Sequence, residues 1–225
     1  MIALIDTEPV QKVRHPAKYT DALLPVFVRM LRGQRRILDP FGGTGKIFDI
    51  QRWLPSTEIH AVEIEPEWAA LNKRTTLGNA LALPWGDDYF DAICTSPAYG
   101  NRMADKLLRD KYKRNTYATE LGRELHCDSG AALQWGPAYQ QFHVRAWTEA
   151  RRVLQVGGVF ILNIKDHIRN GQRQHVTEWH CEALTALGFV ELEHYRVDCL
   201  GNRHGANAEK RIKYESVIKF ELKSK

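Results

Sequence analysis

The sequence predicts an α/β protein with a mostly parallel sheet and helices on both faces, and three observations carry that prediction. Ile37-Leu38-Asp39 is a short apolar run that ends in an acid and breaks into the turn Pro40-Phe41-Gly42-Gly43-Thr44-Gly45. A second apolar run, Ile59 to Glu63, also ends in a carboxylate. Two late strand-like runs, Phe189 to Cys199 and Tyr214 to Phe220, flank a basic Gly/Asn-rich loop, Gly201 to Arg211. A strand, a glycine-rich turn, a helix and a second strand with a terminal acid form half of a nucleotide-binding unit, whose acid can accept hydrogen bonds from ribose hydroxyls. The late pair reads as an antiparallel hairpin at the end of the sheet.

The other elements follow in order. Residues 1–14 read as an irregular lead-in, and Thr20 or Asp21 caps a helix whose apolar positions (Leu23, Leu24, Phe27, Met30, Leu31) recur every three or four residues, ending at Gly33. Lys46 to Trp53 reads as a short helix, and Pro66 suits the first turn of another, Glu65 to Arg74. Thr76 to Leu81 reads as a short strand running into a loop, and Trp85 to Asp88 as a turn. Tyr89 to Cys94 is a buried strand that delivers Thr95 to Gly100 to the carboxyl edge of the sheet, where open α/β sheets bind their ligands. Later come a helix from Ala138 to Leu154, a turn at Val156 to Gly158, a strand from Val159 to Ile164 and a helix from Thr177 to Leu187.

Between Asn101 and about Pro137 the alternation lapses. Arg102, Lys106, Arg109, Lys111, Lys113 and Arg114 crowd together with Tyr112 and Tyr117 among them. One reading is a solvated, partly helical insertion. The favoured one is an arm that contacts nucleic acid, because basic side chains beside aromatics hold phosphates and stack on bases.

With 225 residues the chain suits one domain, residues 1–225, with the segment 101–137 inserted. A composition of 44% hydrophobic and 26% charged residues is ordinary for a soluble protein. A net charge of +5 and a pI near 9.0 favour a polyanionic partner without proving one. Cys94, Cys127, Cys181 and Cys199 lack C-x-x-C spacing and read as reduced thiols of a cytoplasmic protein, with no metal site expected. No signal pattern and no run of the ~18 apolar residues of a membrane span is present.

Ser96-Pro97-Ala98-Tyr99 fits the chemistry of methylating an exocyclic base amine. Such a nitrogen is a poor nucleophile because its lone pair is delocalised into the ring. Acceptors for its hydrogens, here the Ser96 hydroxyl and the Pro97 carbonyl, favour the tetrahedral form that the transition state needs. Pro97 stiffens the turn, and Tyr99 offers a face on which a flipped-out base can stack.

From His15 to about Lys165, and more weakly over Lys213 to Phe220, the chain resembles the S-adenosylmethionine-dependent DNA amino-methyltransferases. The family's cofactor motif looks like Asp39 to Gly45, preceded by His15-Pro16-Ala17-Lys18-Tyr19, and its catalytic tetrapeptide looks like Ser96 to Tyr99. The resemblance implies a class I, Rossmann-like fold with a seven-stranded mostly parallel sheet and one antiparallel strand. It further implies that Phe41, Gly43 and Gly45 pack against the methionine part of S-adenosylmethionine, while Asp39 orients the turn or meets the cofactor's amino group. Glu63 would bind the ribose, Asn79 and Ala80 the adenine, and His15, Pro16 and Lys18 would close over the carboxylate. Ser96, Pro97 and Tyr99 would hold the target base of DNA, a duplex with one base flipped out.

Ala98 stands where the family usually has a second proline, which predicts a less rigid loop with its chemistry retained. Serine in the first position leans towards cytosine N4 over adenine N6. The small recognition surface implies a short target site, relaxed specificity, or help from a partner such as a second copy. The alternatives are a methyltransferase acting on RNA base amines, a non-catalytic nucleic-acid-binding subunit of the same fold, and a small-molecule methyltransferase.

Overall fold

The computed structural model describes residues 15, 20–104, 116–199 and 209–225. Pro16, Lys18, most of the basic run of the insertion and most of the loop 201–211 lie outside these residues.

One sheet of seven strands organises the chain. The strands are β1 (Arg36–Asp39), β2 (Glu58–Glu63), β3 (Thr75–Leu77), β4 (Phe90–Thr95), β5 (Leu154–Ile164), β8 (Phe189–Asp198) and β9 (Tyr214–Leu222). A two-stranded ribbon, β6 (His167–Arg169) and β7 (Gln172–Gln174), stands apart from it. The sheet order is β3-β2-β1-β4-β5-β9-β8, with β1 to β5 paired in parallel and β9 antiparallel to both its neighbours. The expected mostly parallel sheet with one reversed strand is what forms. After β1 the chain moves outward through β2 and β3, then returns to place β4 on the other side of β1. The crevice at that reversal lies beyond the carboxyl ends of β1 and β4, where Asp39 and Ser96 stand.

Successive strand residues face opposite ways, so the sheet has two cores. Ile37, Ala61, Ile161 and Val217 pack on one face with Phe27 and Met30 of α1 (Leu24–Met30) and with Ile47 and Ile50 of the 3-10 helix Lys46–Arg52. Leu38, Val62, Phe160 and Phe220 pack on the other with α4 (Pro137–Val153) and α5 (Val176–Ala186), around the fully buried Tyr139 and Trp147. Burying each large side chain contributes about 1.5–3 kcal/mol, which fixes both helical layers on the sheet. Among the described residues, no helix is long and apolar enough to cross a membrane.

Three local features differ from the sequence expectations. The helix expected over Glu65 to Arg74 is only α2 (Pro66–Ala69), because the Asn72 side chain accepts the Arg74 N–H at 3.0 Å and turns the backbone towards β3. The expected turn at Val156 to Gly158 is a bulge inside β5. Gly157 has φ 81°, and the register jumps from Phe90↔Leu154 to Ala92↔Val159. The β6–β7 ribbon was not expected, although Asn170-Gly171, with φ of 51° and 75°, is the two-residue turn that signals one.

Candidate active site

At the end of β1, Asp39 points into the protein. Its Oδ1 accepts the Phe41 N–H at 3.1 Å and the Thr95 hydroxyl at 2.7 Å. One buried carboxylate thus ties the glycine turn to the residue preceding Ser96. Burial pushes its pKa up to about 6 against the pull of those two donors. Asp39 orients the turn and does not line the cavity.

The turn then runs alongside the end of β2. The Gly42 N–H bonds the Val62 carbonyl at 2.7 Å, and a Cβ there would stand 2.8 Å from that of Ala61. Gly43 has φ 52° and gives its N–H to Glu63 Oε2 at 2.9 Å, while Glu63 Oε1 accepts the Glu65 N–H at 2.9 Å. Burial raises the Glu63 pKa to about 7, offset in part by those backbone donors. Gly45 faces away from the cavity. It has φ 76°, and a Cβ on it would meet Asn72 at 2.8 Å.

A cavity of about 210 Å³ opens over this turn. His15, Phe41, Gly43, Glu63, Asn79 and Ala80 line it, as do Ser96, Pro97 and Tyr99. Of the residues singled out from sequence, the structure brings all of these to one space, with Asp39 beneath it and Gly45 behind it. Asn79 accepts the Leu81 N–H at 2.9 Å and donates to Asp128 Oδ2 at 3.0 Å.

Other cavity residues were missed. Trp68, Tyr117, Asp128 to Ala131, Phe142 and Glu215 also line it. The described end of the insertion forms α3 (Tyr117–Leu121), capped by the Thr116 hydroxyl accepting the Thr119 N–H and closed by Gly122 at φ 71°. Its continuation returns to the nucleotide side of the cavity. Arg123 Nη2 lies 2.8 Å from the fully buried Glu65 and Arg123 Nε donates to Glu67 at 2.8 Å, while the His126 N–H bonds Glu65 Oε1 at 2.8 Å. His15, Trp68 and Tyr117 stack edge to face, with the His15 ring 4.4 Å from that of Trp68. No motif announces these partners, since each meets the turn only through tertiary packing.

The loop Ser96 to Gly100 is held from two sides. From the sheet, Asn163 on β5 places Nδ2 3.1 Å from Ser96 Oγ, 2.9 Å from the Tyr99 hydroxyl and 2.9 Å from Glu215 Oε2. From α4, the Tyr139 hydroxyl donates to the Ala98 carbonyl at 2.8 Å and meets His180 Nε2 at 2.9 Å. Trp147 Nε1 donates to His180 Nδ1 at 3.0 Å, so the neutral ring carries its proton on Nε2 and gives it to Tyr139. Burial drives the His180 pKa well down, which keeps that ring neutral. The Trp135 N–H bonds the Gly100 carbonyl at 2.7 Å, and Gly100, at φ 64°, leaves no room for a Cβ against Trp135. The looser loop expected from Ala98 is therefore restrained by a buried Tyr–His–Trp relay.

No protein-family model matches this chain, and no curated protein matches it. Solved structures do. The [4+2]-cyclase SpnF shares 17% identity over 91% of this chain and 82% of its own, with a TM-score of 0.59. A SAM-dependent methyltransferase from Methanosarcina mazei shares 14% over 89% and 98%, at 0.58. A geranyl diphosphate methyltransferase, in complex with GPP and sinefungin, shares 10% over 89% and 78%, at 0.57. The fold is the class I methyltransferase fold. That a cyclase stands among these structures shows how far one fold spreads over reactions, so the chemistry must come from the site.

Proposed function

We propose that this protein transfers a methyl group from S-adenosylmethionine to an exocyclic amine of a DNA base, cytosine N4 ahead of adenine N6. The observation that carries this reading is the joining, in one cavity, of the Gly42–Gly43 turn and Glu63 with Ser96, Pro97 and Tyr99.

The residues suit the cofactor. The turn packs too closely on Ala61 for a side chain at Gly42, which leaves bare backbone beside the space. The Glu63 oxygens keep lone pairs for ribose hydroxyls, and Ala80 with Val62 offers an apolar wall for adenine. S-adenosylmethionine supplies an electrophilic methyl group there. Ser96 Oγ and the Pro97 carbonyl accept the hydrogens of the target amine and free its lone pair. The Tyr99 ring lines the same wall, with its hydroxyl tied to Ser96 at 3.1 Å. The basic composition and the serine support DNA and cytosine respectively.

Incubation with labelled S-adenosylmethionine and unmethylated DNA, followed by digestion to nucleosides, tests the reading. Labelled N4-methylcytosine or N6-methyladenine is the expected product. Label found only in tRNA or rRNA would move the substrate to RNA. A protein that binds the cofactor and labels no base would overturn the proposal.

A further inference from the structure

Glu215, the second residue of β9, lines the cavity next to Ser96 and Tyr99, yet no motif includes it. Three carboxylates line the cavity among the described residues. Glu63 is engaged by the backbone of the glycine turn, and Asp128 is tied to Asn79 on the nucleotide side. Glu215 alone of the three shares a hydrogen-bonding centre with Ser96.

We propose that Glu215 is a catalytic residue, the proton acceptor for the target amine, and that Asn163 is the positioning residue that sets it beside Ser96. This rests on the methyl-transfer reading above and assigns the charge that reading lacks, since Ser96 is neutral.

A count of hydrogens supports the assignment. Asn163 Nδ2 carries two hydrogens and faces three oxygens, those of Ser96, Tyr99 and Glu215. A carboxylate has no hydrogen of its own, so Glu215 always takes one of the two. Reversing the amide would set Asn163 Oδ1 against a negative oxygen, which fixes its orientation. The other Nδ2 hydrogen goes to Ser96 or Tyr99, and one hydroxyl hydrogen then bridges those two residues. Where the chain runs from Asn163 to Tyr99 to Ser96, the Ser96 oxygen keeps a lone pair for the amine and its own hydrogen faces the cavity.

The site therefore presents an anionic acceptor and a hydroxyl donor side by side. That pair complements the amidine-like edge of cytosine or adenine, in which an amine adjoins an unprotonated ring nitrogen. On its Watson–Crick edge guanine does not match, because there its amine adjoins an N–H, and it could meet the pair only through its N2–N3 edge. Tyr99 does not compete as the base, because burial and the charge of Glu215 hold its hydroxyl protonated.

In the reaction, the amine nitrogen forms its bond to the methyl carbon as the carbon–sulfur bond breaks. The nitrogen becomes positively charged and strongly acidic. Its proton passes to the Glu215 carboxylate and from there to solvent, leaving a neutral methylated amine.

Glu215→Gln keeps the size of the side chain and removes its charge. Single-turnover transfer to the wild-type substrate should fall about 100-fold or more. Affinity for S-adenosylmethionine, measured by calorimetry, should stay within about two-fold, which also shows that the variant is folded. Without cofactor turnover, fluorescence titration with oligonucleotides should show wild type preferring the target base over an analogue lacking the exocyclic amine. Glu215→Gln should level that preference. Asn163→Ala should level the same preference, and the double variant should be no slower than the worse single one. A Glu215→Gln variant with the wild-type rate and preference would overturn this inference while leaving methyl transfer intact. Additive losses in the double variant would remove Asn163 from its role. A wild-type protein that methylates no base would overturn both this inference and the reading beneath it.

Discussion

The two walls of the cavity are built in opposite ways. On the nucleotide side, the hydrogen bonds that shape the glycine turn span short stretches of chain: Asp39 to Phe41 over 2 residues, Glu63 to Glu65 over 2 and Glu63 to Gly43 over 20. On the base side, the loop Ser96 to Gly100 is held by side chains far away in sequence. Tyr139 reaches Ala98 across 41 residues, Asn163 reaches Ser96 across 67, and Asn163 is itself met by Glu215 across 52. One wall is thus local backbone geometry specified by glycines and acids, and the other is a product of the finished sheet and its helices. A local wall can bind its ligand wherever the βαβ unit forms, whereas the other exists only once β5, β9, α4 and α5 have assembled.

If the walls are separable, removing the central group of one should leave the other working. Glu63→Ala deletes the carboxylate proposed for the ribose and should weaken S-adenosylmethionine binding by about 100-fold, roughly 3 kcal/mol, as expected for charge-assisted hydrogen bonds. Calorimetry measures that loss. Binding of a target oligonucleotide without cofactor should stay within about two-fold of wild type. A parallel collapse of oligonucleotide binding would show that the two walls are one unit.

The same contrast explains what could be read from sequence. The turn Pro40 to Gly45, Glu63 and Ser96 to Tyr99 were legible because each is a short run whose residue types are demanded by backbone conformation or by chemistry. Gly43 has positive φ, and Gly42 touches Ala61. Asn163 and Glu215 were illegible because an asparagine inside an apolar strand and a glutamate near a strand end carry no local signal. Tyr139 and His180 sit on faces of α4 and α5 where an aromatic residue or a histidine reads as ordinary core. The sheet itself was legible from alternating apolar runs. The truncated α2 and the bulge at Gly157 were not, because side-chain competition and register decide them. The β6–β7 ribbon differs from these, because Asn170-Gly171 is a local turn signal.

Asp39 joins the walls through hydrogen bonds to Phe41 and Thr95, and its charge gives a pH test. Its folded pKa of about 6 lies above the ordinary 3.8, so between those values the folded protein binds more protons than the unfolded chain. Its contribution to stability is therefore full below the ordinary value and is lost as pH rises through about 6. Asp39→Asn keeps an acceptor for the Phe41 N–H and the Thr95 hydroxyl without the buried charge. At about 1.4 kcal/mol per unit, the variant should be more stable than wild type by up to about 3 kcal/mol at about pH 8, with the gap narrowing below about pH 6. His143 and His180 act in the opposite direction, since burial lowers both pKa values and keeping them neutral costs stability as pH falls below about 6.5. Denaturant titration of both proteins across this range cancels the histidines and isolates Asp39. A gap that does not change with pH would place the Asp39 carboxyl outside this window and remove its charge from the link.

The smallest effect belongs to the restraint on Ala98, and it asks whether the base side depends on remote packing at all. Tyr139→Phe removes one oxygen and leaves the Ala98 carbonyl and the His180 Nε2–H without their partner in a buried site. Stranding such groups costs about 1–3 kcal/mol, so a loss of about 2 kcal/mol in stability is expected. Stability alone would fit any core tyrosine, so the informative measurement is kinetic. If the relay acts by fixing the loop that presents Pro97 and Ser96, the rate of methyl transfer should fall by about ten-fold while S-adenosylmethionine affinity is unchanged, because the hydrogen bonds from Asp39 and Glu63 that shape the glycine turn do not involve Tyr139. His180→Ala removes the next member of the relay and should reproduce the kinetic loss, with little further change when combined with Tyr139→Phe. A Tyr139→Phe protein that is less stable but as fast as wild type would mean that the loop is already rigid through Asn163 and Gly100. The base wall would then rest on the sheet and on the Trp135 bond to Gly100, and the aromatic relay would be core packing.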